Sequence, residues 1–257
     1  MTVLDHFAIG TSALADGWDL FGGVLGGTWA YGGDSRGYWW GQLEFASGPK
    51  VELLTPTGGP DAAFLERFLA ARGAGPHHFN FITADIEATL ARVRVLGIEP
   101  VQVNLDSDTW KEAFLHPRSA HGIVIQIAQQ AAPPRPPAPP AALPAPGPAS
   151  GFDLIEHHVA DLKGAARLFT EALEGQVTDQ GDGVVELSWA GGCRIRLVQP
   201  AGGAGDGLPN GGALHHIRFT RTAGPVSAAD TRRAGELSRR LGLTVELAGT
   251  APADQAR

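Results

Sequence analysis

The chain has 257 residues, 43% of them hydrophobic, and a formal net charge of -7. This apolar content supports a packed core and excludes a largely disordered chain, while the acidic charge argues against a nucleic acid as the main partner. The one cysteine, Cys193, can form neither an internal disulfide nor a cysteine-based metal cluster. We expect a cytoplasmic, bacterial protein without a membrane span, because no run of eighteen apolar residues occurs and MTVLDHFAIG lacks the features of a signal peptide.

The first 75 residues have the periodicities of a strand, a helix and three further strands, followed by a short connecting helix. Alternation of apolar and polar residues predicts the strands, and apolar positions three or four apart predict the helices. The predicted strands are Thr2–Gly10, Thr28–Tyr31, Tyr38–Ala46 and Pro49–Leu54, and the helices are Ser12–Gly26 and Asp61–Ala71.

The same order of elements recurs before residue 130. Two βαβββ units in this length predict an α+β fold, with helices packed on one face of a sheet and the other face available for binding. The predicted elements are a strand at Pro76–Thr83, a helix at Ile86–Leu96, and strands at about Glu99–Asn104, Glu112–His116 and Gly122–Ala128.

A proline-rich segment divides the sequence. Nine of the nineteen prolines lie between Ala131 and Ser150, where they favour an extended polyproline II linker that acts as a semi-rigid spacer. We therefore predict a domain at 1–130, a linker at 131–150 and a second domain at 151–257.

Four polar residues occupy mid-strand positions in the first domain where a core strand would be apolar. Val51 and Leu53 flank Glu52, and two isoleucines flank Gln126, so both polar side chains are predicted to point away from the helices. Two imidazoles with carboxylate and amide oxygens suit one divalent ion such as Mn, Fe, Co, Ni or Zn. The predicted ligands are His6, Glu52, His77 and Gln126. Spacing alone leaves open ordinary buried histidines and a strand glutamate paired with an arginine.

Residues 1–130 resemble the vicinal oxygen chelate (glyoxalase/bleomycin resistance/dioxygenase) superfamily, most closely its methylmalonyl-CoA epimerase-like branch. The resemblance is carried by LDHFAIGTSAL, KVELLTPTGGP, GAGPHHFNF and FLHPRSAHGIVIQI. It implies paired βαβββ modules that form a cup-shaped sheet around one divalent metal. The family's ligands fall on the four residues named above, although Gln126 stands where members of the family usually have glutamate.

The resemblance also implies a carboxylate that takes a proton from the substrate. Glu52 is the first candidate, although a carboxylate bound to a metal is a weak base unless substrate binding releases it. Glu44 on the adjoining strand is the second, with a surface acid as the alternative interpretation.

A flat or hydrophobic substrate would suit the aromatic residues of the third strand. Trp39 and Trp40 are candidate substrate-binding residues, with packing as the alternative. Arg118 is a candidate for binding a phosphate or carboxylate, with solvated surface charge as the alternative. The expected partner is a small molecule, an acyl-CoA or an aromatic metabolite. The chain is expected to form a homodimer or an internal pseudo-dimer.

The second domain is predicted to be a degenerate, truncated copy of the first. CRIRLVQP echoes KVELLTP, and GGALHHIRF echoes GAGPHHFNF. The aligned ligand positions hold Leu154, Arg196 and His215, so we expect no metal there. A scaffold role is expected, and Arg196 would favour an anion if this domain binds a ligand.

The leading functional hypothesis is a metal-dependent epimerase, isomerase or lyase that moves a proton alpha to a carbonyl or carboxylate. The alternatives are a non-catalytic protein that binds a drug or metabolite, and a ring-cleaving dioxygenase.

Overall fold

The computed structural model describes residues 1–131, 135–201 and 207–249. The first module follows the predicted order. Its helical segment starts as α1 (Leu14–Gly17) and continues as a π-helix (Trp18–Val24), which buries Trp18, Leu20 and Phe21. The other elements are β1 (Thr2–Gly10), β2 (Thr28–Asp34), β3 (Tyr38–Glu44), β4 (Lys50–Pro56) and α2 (Ala63–Arg72).

The second module completes one eight-stranded sheet with the order β2-β3-β4-β1-β5-β8-β7-β6. Asp85 begins its helix as an N-cap, because the side chain accepts a hydrogen bond from the Ala88 N–H at 3.0 Å. The elements are β5 (Gly75–Thr83), α3 (Ile86–Val95), β6 (Val101–Asn104), β7 (Trp110–Leu115) and β8 (Val124–Gln130).

The remaining described residues form a six-stranded sheet with the order β10-β11-β12-β9-β13-β14. Two sheets with few helices confirm the predicted α+β fold and are consistent with tandem modules. The strands are β9 (Ser150–Val159), β10 (Gln176–Gly181), β11 (Val184–Ser188), β12 (Arg194–Val198), β13 (Gly212–Arg221) and β14 (Val245–Ala248). The helices are α4 (Leu162–Arg167), a π-helix (Leu168–Ala172), a 3-10 turn (Pro209–Gly211) and α5 (Ala228–Arg240).

The described residues cluster in two compact units, and each unit draws on both halves of the sequence. The first contains Met1–Ile9, Pro76–Pro136 and Leu154–His215, and the second contains Gly10–Gly75, Pro137–Asp153 and His216–Arg257. None of the described helices has the length and apolar character needed to cross a membrane.

Within the second unit, the described part of the proline-rich segment packs against the first module. The Trp29 indole N–H donates to the carbonyl of Pro137 at 2.9 Å, and the N–H of Gly147 donates to the carbonyl of Gly22 at 3.0 Å. Proline lacks a backbone N–H but keeps its carbonyl acceptor, so an extended segment can form such a bond. The expectation of an extended spacer stays a prediction. The domain boundaries at 131 and 150 stay a prediction.

Candidate metal centre

Strand register decides which side chains share a face of the eight-stranded sheet. The parallel pair β5–β8 places Asn80 beside Gln126, with Phe79 beside Ile125 and Phe81 beside Ile127. Side chains alternate along a strand, so the four apolar residues share one face, where all are fully buried. The opposite face therefore contains the polar set His78, Asn80 and Gln126.

Two imidazoles meet on this polar face. The Nε2 atoms of His6 and His78 are 3.3 Å apart, and their ring planes differ by 72°. Two nitrogens bound to one tetrahedral ion at about 2.1 Å would lie roughly 3.4 Å apart. The spacing of the two Nε2 atoms therefore fits a shared divalent ion.

The second nitrogen of each ring has its own partner. His6 Nδ1 lies 2.8 Å from Asp5 Oδ2, and His78 Nδ1 lies 2.9 Å from His77 Nδ1. A carboxylate only accepts, so Asp5 fixes the proton of His6 on Nδ1 and leaves a lone pair on Nε2. His77 can orient His78 in the same way.

Burial favours the neutral form of the histidines on β5. Loss of solvent lowers the pKa of His77 to about 4. Burial lowers the pKa of His78 well below its usual value, and the nearby His77 and His6 lower it further. Both rings are therefore neutral at pH 7, which is the state that binds a metal.

Glu52 provides a buried carboxylate. It is 6% exposed and accepts a hydrogen bond from Gln42 Nε2 at 2.7 Å, and the two residues face each other in the β3–β4 register. His6 and His78 belong to the first compact unit and Glu52 to the second, so the donor pair shown within one unit is His6 with His78. Two neutral imidazoles suit Mn, Fe, Co, Ni or Zn.

Gln126 is oriented by a carboxylate that the sequence argument missed. Its Nε2 donates to Glu112 Oε2 at 2.7 Å, and the Trp110 indole N–H donates to the same oxygen at 2.9 Å. Gln126 also forms a side-chain hydrogen bond with His78, which raises the pKa of that imidazole against the larger effect of burial. The amide is thus held between Glu112 and His78. The signal was available, since Trp110, Glu112 and Gln126 share one face once β7 and β8 pair antiparallel.

The histidine that lies beside His6 differs from the one predicted. The structure brings His78 together with His6. His77 is half-buried, and its Nδ1 contacts the Nδ1 of His78, the ring nitrogen that does not face His6. The reason is alternation along HHFNF. Phe79 belongs to the core face, so the residue two before it points to the same side, and His78 points to the polar side.

Alternation also separates the two tryptophans predicted to bind substrate. Trp40 lies on the face of Glu52, and its ring centroid is 5.4 Å from that of Tyr31. Trp39 lies on the other face, where its ring centroid is 5.3 Å from that of the buried Trp18. This contact favours the packing interpretation of Trp39, and substrate binding by Trp39 stays a prediction.

The two other predicted residues are exposed. Glu44 ends β3 on the same face as Gln42, and Arg118 lies in the turn before β8, where its backbone N–H donates to His116 Nδ1 at 3.2 Å. The structure gives neither side chain a contact with His6 or His78 among the described residues.

A second group of donors lies on β9 and β13. Glu156 Oε1 is 3.0 Å from His158 Nε2 and 3.1 Å from His215 Nδ1. The two rings stack with planes 8° apart, and one nitrogen of each lies near the same carboxylate oxygen, so Glu156, His158 and His215 form a second group of donors that could hold a cation. The sequence alignment pointed to Leu154 here, whereas the residue in register with Arg196 is Glu156, two positions later on the same face of β9.

Comparison with protein families agrees with this geometry. Residues 5–140 match the model of the glyoxalase/bleomycin resistance protein/dioxygenase superfamily, and this span exceeds half of the chain. The chain belongs to this superfamily. Its members typically bind a divalent metal, and the two histidines on the polar face provide suitable donors. No curated protein matches the sequence.

Solved structures share the glyoxalase fold. A mutant of 4-hydroxymandelate synthase from Streptomyces coelicolor matches with a TM-score of 0.61 and 13% identity, over 92% of this chain and 75% of that one. A hypothetical protein from Staphylococcus aureus matches at 0.60 and 10%, over 97% and 100%. Methylmalonyl-CoA epimerase from Mycobacterium tuberculosis matches at 0.45 and 22%, over 51% and 89%. At these identities, the first two similarities show the fold alone.

Proposed function

We propose that the chain is a metal-dependent enzyme that moves a proton alpha to a carbonyl or carboxylate group, as in methylmalonyl-CoA epimerase-like proteins. The observation that supports the proposal is the buried pair His6 and His78, whose Nε2 atoms are 3.3 Å apart and fit a shared divalent ion. Glu52 and Gln126 are the further ligands that the sequence predicts. Buried polar groups are costly unless they are paired or bind an ion, so a buried donor set of this kind is typical of a metal site.

Each of these four ligands would hold the ion through a defined atom. His6 and His78 would bind through Nε2, Glu52 through a carboxylate oxygen and Gln126 through its amide oxygen. Asp5 and Gln42 hold two of these ligands in place, at 2.8 and 2.7 Å. A bound divalent ion would stabilise the negative charge that develops on a substrate oxygen.

Other residues of the chain would bind the substrate and move its proton. Trp40 and Tyr31 form an aromatic contact on the face of Glu52, where a flat acyl or aromatic group could pack. Arg118 is exposed and would meet a phosphate or carboxylate at the periphery. The sequence offered Glu52 and Glu44 as the base, and both stay candidates for that role.

The test is proton exchange by protein reconstituted with Co²⁺. Racemic methylmalonyl-CoA is incubated with the protein in deuterated water, and deuterium at the alpha carbon is measured by mass spectrometry. We expect exchange that depends on the ion and is lost in His6→Ala, with the exposed His116→Ala as the control. Absence of exchange at full metal occupancy would rule out this substrate. Less than about a tenth of an equivalent of metal would favour a non-catalytic binding protein.

A dioxygenase is the second candidate, because two histidines and one carboxylate are the ligand set of non-haem iron oxygenases. The two functions differ in what they require of Gln126. With three ligands, Gln126→Ala should retain Fe²⁺ affinity, whereas a four-ligand site should lose it. Calorimetric titration of the variant with Fe²⁺ under argon distinguishes them.

A further inference from the structure

Glu112 lies on the polar face of the sheet, although the sequence argument assigned it no role. β7 and β8 pair antiparallel with Phe114 opposite Gln126 and Glu112 opposite Ala128. All four side chains therefore point to the face that holds His78 and Asn80. Glu112 is half-buried, so its carboxylate is partly shielded from bulk water yet accessible to a small molecule.

The two oxygens of this carboxylate have different surroundings. Oε2 accepts from Gln126 Nε2 at 2.7 Å and from the Trp110 indole at 2.9 Å. No described residue donates to Oε1. The side chain is thus held by two neutral donors on one oxygen, and the other oxygen remains able to accept a proton.

Glu112 is better suited to accept a proton than the two carboxylates that the sequence offered as the base. Glu52 is a predicted ligand of the ion, and a carboxylate that coordinates an ion is a weaker base. Glu44 is exposed at the end of its strand, where water competes for the proton. Gln126 is hydrogen-bonded both to the Glu112 carboxylate and to His78, so it links this carboxylate to one of the cation donors.

We propose that Glu112 is the general base of the site, and this inference rests on the proposed function. Oε1 takes the proton from the carbon alpha to the substrate carbonyl. The C–H bond breaks, an O–H bond forms on Glu112, and the electron pair moves into the enolate. The O–H proton of Glu112 exchanges with solvent, and transfer of the solvent-derived proton back to the alpha carbon restores the C–H bond. The net result is hydrogen exchange without an oxidant or reductant.

The experiment compares Glu112→Gln with wild type and with Glu99→Gln, which removes an exposed carboxylate outside the site. All proteins are loaded with Co²⁺, and alpha-carbon exchange of racemic methylmalonyl-CoA is measured in deuterated water. The dissociation constant of Co²⁺ is measured by calorimetry, and the melting temperature by scanning fluorimetry. The glutamine retains an acceptor for Gln126 and Trp110, so the side chains of the site remain bonded.

We expect Glu112→Gln to lower exchange by roughly 100-fold or more, while the Co²⁺ dissociation constant changes less than about threefold. Glu112→Ala should recover part of the rate with added formate. If wild type exchanges and Glu112→Gln exchanges at more than about a third of its rate, the inference fails. Equal losses of Co²⁺ affinity and exchange would also overturn it, because Glu112 would then only position Gln126. A wild type that binds Co²⁺ without exchange instead refutes the proposed function.

Discussion

His157 should make the folded state sensitive to acid. This residue of β9 is fully buried, its Nε2 donates to the carbonyl of His121 at 2.7 Å, and its ring lies 5.9 Å from Phe79. Burial lowers the pKa of His157 to about 4, and that hydrogen bond opposes the effect only in part. The imidazole is therefore neutral in the folded chain at pH values where it would be protonated in the unfolded chain.

The sign and size of the effect follow from proton linkage. Between the unfolded value of 6.5 and the folded value of about 4, the unfolded state binds more protons, so stability falls as the pH falls. At pH 7.5 both states hold His157 almost entirely neutral, so the residue costs the folded state almost no stability there. At pH 4.5 we expect a loss of about 2.5 kcal/mol from this residue, at 1.36 kcal/mol per pKa unit.

The perturbation is His157→Gln, which retains a donor for the carbonyl of His121 and cannot be protonated. Urea unfolding of the metal-free protein is followed by tryptophan fluorescence from pH 7.5 to pH 4.5. The wild type should lose about 2.5 kcal/mol more than the variant over this range. The exposed His116→Gln serves as the control and should parallel the wild type. Parallel curves for wild type and His157→Gln would refute the reasoning.

Three further changes have defined outcomes. Asn80→Leu should raise the free energy of unfolding by about 1–2 kcal/mol in urea titrations, because the fully buried amide has no hydrogen-bond partner among the described residues. A lower free energy of unfolding in Asn80→Leu would contradict this reason. Gly48→Ala should destabilise by more than Gly58→Ala in the same assay, since both have positive φ but only at Gly48 would a Cβ overlap a carbonyl oxygen of β9. Asp5→Asn should weaken Co²⁺ binding roughly 10-fold in calorimetry, because it removes the carboxylate that orients His6; unchanged affinity would argue against that role.

The order of elements in the first domain could be predicted because every strand alternates clearly and every helix has an apolar stripe. The assignment of individual side chains was harder. At His77 and His78, two identical residues are adjacent, and only the core position of Phe79 decides which one faces the donors. Alternation likewise separates Trp39 from Trp40, so that adjacent aromatic residues serve different faces.

Contacts between side chains on neighbouring strands could not be predicted from the sequence, for a different reason. Glu112 approaches Gln126 only through the register of β7 and β8, and nothing in NLDSDTWKEAFLHP fixes that register. The sequence alignment of the second domain also differs from the strand register. It pointed to Leu154, whereas the residue opposite Arg196 is Glu156, two positions later on β9.

The charges of the second sheet argue for one cation per chain. Arg196 occupies the position that Glu52 has in the first sheet, and it donates to Glu186 Oε2 at 2.9 Å. Arg194 donates to the other oxygen of Glu186 at 2.8 Å, so the buried carboxylate already has its counter-charges. Arg196 Nη1 also lies 3.6 Å from Glu156 Oε2, so a divalent ion bound by Glu156, His158 and His215 would meet repulsion from a guanidinium group. Elemental analysis after reconstitution should therefore give about one equivalent, unchanged in His215→Ala and lost in His78→Ala. Two equivalents in wild type, falling to one in His215→Ala, would show that the second group rearranges to bind an ion.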